Sequence, residues 1–252
     1  MNRHAKILEA LTQSRKMEVT TLAAMLQVSQ VTVRKDLDRL EERGLIRREH
    51  GYACLDGGDD VGRRMAFHYD VKKRIARAAS EIVEDGETIM VESGSCCALL
   101  AEELANHGKD VTIVTNSVFI ANHVRYAPTI KVILLGGYYK GEAQVLVGPL
   151  TRKSAEIFFS DKFFLGANGF TENFGFTGKD HQRSQTVQEL AEQARQIIVL
   201  TESEKFFHSG VVGLVKTENV TAVYTDEGIP WETEILLRGK NIALIKVPEY
   251  SE

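Results

Sequence analysis

The chain has 252 residues, of which 43% are hydrophobic and 26% are charged, a composition that argues against a disordered or low-complexity protein. Its formal net charge of −4 divides unevenly: residues 1–55 hold 10 Lys and Arg against 7 Asp and Glu, and residues 56–252 hold 21 against 28. The balance is +3 in residues 1–55, the head, and −7 in residues 56–252, the body. This asymmetry favours an anionic polymer as the partner of the head, although the positive excess is modest.

The first 26 residues have helical periodicity. Apolar residues spaced i, i+1 and i+4 predict a first helix around residues 7–11. The run 19–26 predicts a second, short helix, with Thr20 or Thr21 as its N-cap. Two helices in this order are the first half of a small helical unit.

A third helix and a strand pair complete the head. Ser29 is the expected N-cap of a helix from about 30 to 43, and Gly44 follows where such a helix ends. The segment 45–55 predicts two short strands around a turn. Two short helices joined by a tight turn and followed by a strand pair are typical of a winged helix-turn-helix, whose second helix enters the major groove of DNA.

Eight residues of the third helix and the strand pair are candidate DNA contacts. Gln, Thr and Arg side chains suit base edges or phosphates, and Lys suits phosphates. The candidates are Ser29, Gln30, Thr32, Arg34, Lys35, Arg47, Arg48 and His50. The alternative is a generic three-helix bundle with a solvated polar face. It is favoured by four carboxylates of the third helix, which would repel phosphates if exposed on the DNA side: Asp36, Asp38, Glu41 and Glu42.

The run 56–62 is rich in Gly and Asp and predicts a linker, assigned to 56–70. After the linker, strands alternate with helices. Strands are predicted at 88–92, 111–114, 131–135, 162–166, 197–201, 211–215, 222–225 and 242–246, and helices near 71–84, 96–106, 117–125, 150–159, 182–195 and 232–236. The predicted fold class is therefore α/β: a winged helix-turn-helix in 1–55 and a larger open-sheet domain in 71–252.

Polar or glycine-rich loops follow three successive strands of this sheet. Ligands of open parallel sheets bind outside the carboxyl ends of the strands, and the N–H groups at a helix N-terminus favour an anion. The candidate ligand contacts are Ser93, Gly94, Ser95, Cys96, Asn116, Ser117, Gly136, Gly137 and Lys205. The alternatives are ordinary turn chemistry for the Ser-Gly-Ser run and a solvated side chain for Lys205.

The segment 28–41, VSQVTVRKDLDRLE, resembles the recognition segment of the DeoR family of bacterial sugar-metabolism repressors, V-S-x-x-T-[IV]-R-[RK]-D-L-x-x-L-E. The resemblance extends through the wing, where Tyr52 replaces the second glycine of the family's His-Gly-Gly-Ala. It implies that three residues of the segment meet DNA: Thr32, Arg34 and Lys35. It also implies that Asp36 orients a neighbouring basic side chain.

The body is similar to the sensor domain of the same family. The usual signatures D-x-G-T-T, V-T-N-S, G-G, G-x-x-G and D-S-S-K-F correspond here to ESGSC at 92–96, VTNS at 114–117, GG at 136–137, GANG at 166–169 and ESEKF at 202–206. The family's sensor resembles ribose-5-phosphate isomerase and glucosamine-6-phosphate deaminase in fold. This similarity implies a phosphorylated sugar or related metabolite as effector, with its phosphate near 93–96. Cys96 departs from the usual Thr and is a weaker hydrogen-bond donor.

An enzyme is the alternative to a sensor. Asp180 and His181 would supply an acid/base pair for sugar-phosphate isomerisation, but the same residues fit a solvated, capped helix start. A DNA-binding head fused to this fold favours sensing over turnover. No catalytic residue, metal or other cofactor is expected.

The sequence thus predicts a transcriptional repressor of a sugar or carbohydrate operon. Its expected partners are operator DNA, a phosphorylated sugar or related effector, and further copies of itself in a dimer or tetramer. Apolar runs are far shorter than the ~20 residues that span a bilayer, so no membrane contact is expected. Three cysteines without zinc-ligand spacing, and no apolar secretory segment, favour the cytoplasm.

Overall fold

The structure is a computed structural model that describes residues 3–55 and 60–249. The chain divides into two compact units, Met1–Asp70 and Val71–Glu252.

The first unit is helical with a small sheet. Its elements are α1 (Arg3–Ser14), β1 (Lys16–Glu18), α2 (Val19–Leu26), α3 (Gln30–Glu42), β2 (Arg47–Glu49), β3 (Tyr52–Cys54) and α4 (Val61–Ala66). The strands form an antiparallel sheet in the order β1-β3-β2, which adds β1 to the two predicted strands. The predicted apolar faces are buried, as the zero exposure of Ile7, Leu11 and Leu37 shows. The winged helix-turn-helix is confirmed.

The start of α2 differs from the prediction. The helix begins at Val19, and Glu18 occupies its N-cap position without a side-chain cap bond. The Val19 N–H instead donates to the Gly51 carbonyl at 2.9 Å, so pairing of β1 with the wing leads directly into the helix. The prediction of Thr20 or Thr21 as N-cap is therefore wrong, and the Thr20 hydroxyl donates to the Glu18 carboxylate at 2.8 Å.

Both ends of α3 agree with the prediction. The Ser29 hydroxyl accepts from the Thr32 N–H at 3.1 Å, which caps the first turn. Gly44 has φ +68°, and its N–H donates to the Glu41 carbonyl while Leu45 donates to Leu40. These two bonds form a Schellman motif, which requires a left-handed residue at Gly44.

Part of the segment expected to be a linker is helical. Within 56–70, residues 56–59 lie outside the described residues, but α4 starts at Val61 with Asp60 as its N-cap. Val61 and Met65 have zero exposure, so this helix adds apolar surface to the core of the first unit. A six-residue helix beside Gly and Asp residues is too short to show a clear period in the sequence.

The second unit contains a seven-stranded sheet in the order β15-β14-β12-β9-β4-β5-β6, and all its neighbours are parallel. The strands are β4 (Thr88–Val91), β5 (Val111–Thr115), β6 (Ile130–Leu134), β9 (Ser160–Leu165), β12 (Ala194–Leu200), β14 (Ala222–Asp226) and β15 (Ala243–Val247). The helices are α5 (Tyr69–Ser80), α6 (Ser95–Asn106), α7 (Val118–His123), α8 (Pro149–Ala155), α9 (His181–Ala191) and α10 (Trp231–Gly239), with 3₁₀ turns at Ser203–Phe207 and Thr217–Asn219. The predicted α/β open sheet is confirmed.

Two smaller antiparallel pieces accompany this sheet. A hairpin joins β7 (Tyr138–Lys140) to β8 (Val145–Val147), and a three-stranded sheet joins β10 (Gly169–Thr171), β11 (Gly175–Gly178) and β13 (Val212–Val215). The predicted strand at 211–215 is therefore real but lies outside the parallel sheet. The other four strands were not predicted, because strands of three or four residues carry little alternation.

The strand order reverses beside β4. From β4 the chain proceeds to β5 and β6 on one side, and then returns through β9 to the other side of β4. In an open parallel sheet, a ligand binds at the carboxyl ends of the two strands where the order reverses. The loops after β4 and β9 therefore mark the expected ligand crevice. Within the described ranges, no helix is long and apolar enough to cross a bilayer.

Candidate DNA-binding surface and effector site

The exposed face of the N-terminal half of α3 carries two cations. Val33, Leu37 and Leu40 are buried, and this orientation leaves Gln30, Arg34 and Lys35 exposed. Among residues 3–55 and 60–249, neither cation has a hydrogen-bond or ion-pair partner. Thr32 lies beside them, and its hydroxyl is 2.9 Å from the Ser29 hydroxyl. The N-terminal half of α3 thus presents positive charge next to hydrogen-bonding side chains.

Asp36 on the same helix faces the interior. It is 2% exposed, accepts hydrogen bonds from the Arg3 guanidinium and lies 3.2 Å from the His4 ring. Burial raises the pKa of Asp36, but the bonds from Arg3 and His4 outweigh that effect and the pKa is lowered overall. Its charge is therefore balanced inside the head.

Two further acidic residues of α3, Asp38 and Glu41, contact the wing. The Arg48 guanidinium pairs with Asp38, and the Arg48 N–H donates to the Glu41 carboxylate at 2.8 Å. On the wing itself, Arg47 donates to Glu49 at 2.5 Å. Of the four carboxylates that favoured a merely solvated face, Asp38 and Glu41 thus contact Arg48 of the wing, Asp36 is paired inside the head, and Glu42 is exposed.

The turn of the wing needs two left-handed residues, His50 with φ +31° and Gly51 with φ +87°. Tyr52, the departure from the family pattern, follows as the first residue of β3 and keeps ordinary strand geometry. Its hydroxyl donates to the Glu18 carboxylate at 2.9 Å, and the Lys16 ammonium lies 4.7 Å from its ring. The substitution therefore ties the wing to β1, while His50 remains exposed at the tip.

The loops after β4 and β9 meet closely in the second unit. A Cβ on Gly94 would lie 2.9 Å from the Glu92 carboxylate and 3.3 Å from the backbone of Gly166, so a side chain at this position would require Glu92 and the loop at Gly166 to shift. The Glu92 carboxylate accepts from the Ser93 hydroxyl at 2.8 Å and from the Gly166 N–H at 3.4 Å. Gly94 is the N-cap of α6 and provides no side-chain cap for its N–H groups.

Arg183 of α9 joins this cluster. Its guanidinium nitrogen is 3.5 Å from the Ser93 hydroxyl and 3.8 Å from the Glu92 carboxylate. The Arg183 side chain is 16% exposed, and the side chain of Glu92 is 7% exposed. A mostly buried cation therefore lies over the loop in which a phosphate is expected.

Asp180 and His181 have separate surroundings. Asp180 caps α9 by accepting from the Arg183 N–H at 2.9 Å, and it pairs with Lys140 of β7 at 2.5 Å. Burial raises the pKa of Asp180, but the hydrogen bonds from Lys140 and the Arg183 backbone lower it further, so the carboxyl is ionised more readily than usual. His181 is exposed. This arrangement fits the capped helix start rather than an acid/base pair.

A second charged cluster lies where β12 ends. Lys72 of α5 pairs with Glu202 at 3.0 Å, and both side chains are less than one-tenth exposed. The Cys96 thiol faces the same carboxylate at 3.9 Å, and burial, with the charge of Glu202, raises the pKa of the thiol well above its usual value. Lys205, on the 3₁₀ turn that follows, pairs with Glu204. Cys96 is thus directed towards a carboxylate.

The other predicted residues anchor the β7–β8 hairpin and α8. The Asn116 amide donates to the Leu146 carbonyl at 3.0 Å, and Ser117 caps α7 by accepting from the Ile120 N–H at 3.1 Å. The Thr151 hydroxyl of α8 donates to the Gly136 carbonyl at 2.7 Å, and Gly137 follows directly. In the described part of the chain, the buried Asn116 Oδ1 has no hydrogen-bond partner, so it remains an acceptor that could face a ligand.

The structure therefore places Ser93 and Gly94 beside three residues that were not predicted to contact a ligand: Glu92, Gly166 and Arg183. Ser95 opens α6 beside them, partly exposed. The spacing of Asp180 and Arg183 already indicated a capped helix start, but nothing in the sequence indicated that this helix reaches β4.

Each of the two units matches a known protein family. A model of the DeoR C terminal sensor domain matches residues 67–227, and a model of the DeoR-like helix-turn-helix domain matches residues 3–56. The chain belongs to the DeoR family. This DeoR-family protein is a transcriptional regulator with a DNA-binding helix-turn-helix and an effector-sensing domain, and the expectation that it is not an enzyme is confirmed.

Curated relatives span almost the whole DeoR-family chain. The glycerol-3-phosphate regulon repressor of Escherichia coli K12 is 29% identical over 245 residues, which cover 96% of this chain and 97% of that protein. The repressor CsqR of the same strain is 28% identical, covering 96% and 94%. The regulator GolR of Listeria innocua is 29% identical, covering 90% and 91%.

Among solved structures, ribose 5-phosphate isomerase A of Methanocaldococcus jannaschii matches with a TM-score of 0.41 and 20% identity, covering 55% of each chain. The enzyme from Neisseria gonorrhoeae has the same TM-score at 18% identity, covering 56% of this chain and 54% of the enzyme. A likeness of this extent carries no argument about function.

Proposed function

We propose that this DeoR-family protein represses a sugar or carbohydrate operon and is controlled by a phosphorylated sugar or a related metabolite. The observation that carries the proposal is the junction of Gly94 with Gly166 at the reversal of strand order, where Arg183 and the N-terminus of α6 supply positive potential. The glycerol-3-phosphate regulon repressor among the relatives supports the chemical class.

The proposed division of labour follows the two units. Residues 1–55 bind operator DNA and 71–252 sense the effector; of the segment 56–70 expected to link them, α4 packs into the first unit. The proposed DNA contacts are Ser29, Gln30, Thr32, Arg34, Lys35, Arg47, Arg48 and His50. The proposed effector contacts are Ser93, Gly94, Ser95, Cys96, Asn116, Ser117, Gly136, Gly137 and Lys205. We place the protein in the cytoplasm as a homo-oligomer.

Control by the effector requires two forms of the protein that differ in operator affinity. The effector shifts their populations only if it binds one form more tightly than the other. By thermodynamic linkage this coupling is reciprocal. If the effector weakens DNA binding by a given factor, operator DNA weakens effector binding by the same factor.

A DNA-binding titration tests the proposal. Fluorescence anisotropy of the purified protein on the DNA upstream of its own gene is measured with phosphorylated sugars and, in parallel, with the same sugars lacking phosphate. We expect specific binding that a phosphorylated compound changes and its unphosphorylated partner does not. Specific binding that no compound alters would contradict the effector class, and absence of specific binding at low salt would contradict the repressor function.

A further inference from the structure

Val31 is an apolar side chain that projects into solvent from the helix expected to enter the major groove. It is the second residue of α3 and is 61% exposed, whereas Val33 on the same helix has zero exposure and packs in the core. An isolated exposed valine is ordinary on a protein surface. The position of Val31 is what distinguishes it, because the N-terminal residues of a recognition helix lie nearest the base edges.

The cap of α3 holds the turn that carries this side chain. The Ser29 hydroxyl accepts from the Thr32 N–H at 3.1 Å, and the two hydroxyls are 2.9 Å apart, so two bonds span Val31. Both hydroxyls therefore already have a partner. The two residues between them, Gln30 and Val31, are exposed, and of these two only Val31 is apolar.

Val31 has two cations as neighbours on the surface of α3. Residues three and four positions apart on a helix are adjacent, with Cβ atoms about 5–6 Å apart, and Arg34 and Lys35 follow Val31 at these spacings. Both cations are exposed, and neither has a hydrogen-bond or ion-pair partner in the ranges 3–55 and 60–249. When these cations meet phosphates, they hold this part of the helix against the groove, and Val31 is brought to the base edges.

The base edges in the major groove offer a distinctive apolar group, the C5-methyl of thymine, beside hydrogen-bond donors and acceptors. Valine has no polar atom in its side chain. Its contact with a methyl group buries apolar surface, which is favourable. Its contact with a donor or acceptor removes water from a polar group and supplies no hydrogen bond in return, which is unfavourable.

We infer that Val31 reads thymine, its methyl groups packing against the C5-methyl of one thymine in an operator half-site. This makes Val31 a specificity-determining residue in addition to the eight DNA contacts proposed above, and the inference rests on the proposed function, in which residues 1–55 bind operator DNA. Because a β-branched side chain on a helix has one strongly preferred rotamer, ordering it against DNA costs little conformational entropy.

Replacing thymine by deoxyuridine removes the methyl group and keeps the base pair. The DNA upstream of the protein's own gene is footprinted, and each thymine of one protected half-site is replaced in turn. Loss of one buried methyl group should weaken binding of the unaltered protein roughly fourfold at the contacted thymine. Val31→Ala shortens the side chain that meets this methyl, so the same replacement should then weaken binding by less than about twofold.

Anisotropy titrations of the full chain measure every combination of protein and duplex, and thermal unfolding checks each variant. Val31→Ala should be at least as stable as the unaltered protein, because the side chain is exposed and Ala is the better helix former. Since Val31 is uncharged, the slope of log K against log salt concentration should not change. Met25→Ala is the matched control: Met25 is 46% exposed but lies on α2, so the deoxyuridine penalty should keep its full size.

The outcomes separate the inference from the function on which it rests. If the unaltered protein shows no specific binding to the upstream DNA, the proposed function and the inference both fail. If binding is specific but no deoxyuridine weakens it, or if the penalty is as large in Val31→Ala as in the unaltered protein, the inference alone is overturned. Loss of the penalty in Met25→Ala as well would also overturn it, since the methyl group would then be sensed through the general fit of the head and not by Val31.

Discussion

At the scale of single residues, the four arginine and lysine side chains proposed to contact DNA fall into two groups. Arg34 and Lys35 project from α3 into solvent, whereas Arg47 and Arg48 are paired with carboxylates. A cation without a partner can meet a phosphate at no cost in broken pairs, and a paired one must first exchange its carboxylate. The first group is therefore expected to carry more of the electrostatic binding than the second.

Arg34→Ala is expected to weaken operator binding by about 1–3 kcal/mol, because the substitution removes an exposed cation from the helix that enters the major groove. If Arg34 contacts a phosphate, the slope of log K against log salt concentration should also fall in magnitude by about 1. Anisotropy titrations at several salt concentrations measure both quantities. Arg125→Ala is the control, since Arg125 is bonded to Asn122 in the second unit. Operator affinity unchanged at every salt concentration would remove Arg34 from the contacts.

At the scale of elements, the sequence was informative wherever an element was long enough to show its period. The helix α3 and the buried strands of the parallel sheet were predicted within a few residues, because amphipathic spacing and apolar runs extend over them. The strand β1, the hairpin β7–β8 and the helix α4 were missed, since three to six residues give too few repeats. The start of α2 was misplaced because it depends on pairing between Val19 and Gly51, a contact across the head.

The same limit applies to the site. Motif and strand-end position were enough to select Ser93 and Gly94. The contact between Arg183 and Ser93 joins residues 90 positions apart, and it depends on the return of the chain through β9 and α9. A single sequence contains no local signal for such pairing. Asn116 and Ser117 were selected as ligand contacts, but the structure shows that they also fasten the hairpin and α7, which their spacing alone does not indicate.

The N-cap of α3 gives a prediction that belongs to the element. Ser29→Ala should destabilise the first unit by about 1 kcal/mol, because the Thr32 N–H loses its acceptor. Ser29→Asp restores an acceptor and should recover most of the stability, while its negative charge beside DNA should weaken operator binding. Urea unfolding and anisotropy titrations measure the two effects. Equal stability of the unaltered protein and Ser29→Ala would contradict a capping role for this hydroxyl.

At the scale of the whole molecule, charge and symmetry act together. The sensor part of the chain carries the negative balance, −7 over residues 56–252, so it adds no non-specific attraction to DNA. A head with a balance of only +3 has limited affinity by itself. Two heads on one symmetric molecule would bind repeated half-sites with a much higher effective concentration.

We therefore expect a dimer or tetramer in solution. Light scattering at micromolar concentration should give a mass that is twice or four times that of the chain. Operator fragments that keep two half-sites should bind far more tightly than fragments with one half-site scrambled, which serve as the matched control. A monomeric mass together with full affinity for a single half-site would rule out the symmetric arrangement.

The order of strands in the sheet also determines when each part of the chain can fold during translation. The head is made of contacts between neighbouring segments, and it is complete in sequence before any strand of the parallel sheet is translated. In the sensor, β4 cannot pair with β9 until β9 has been translated, and β9 cannot pair with β12 until β12 has been translated. Because domains fold as units from the N-terminus during translation, each nascent chain passes through an interval with a formed head and no sensor. Premature termination in that interval would release a DNA-binding fragment that no metabolite can regulate.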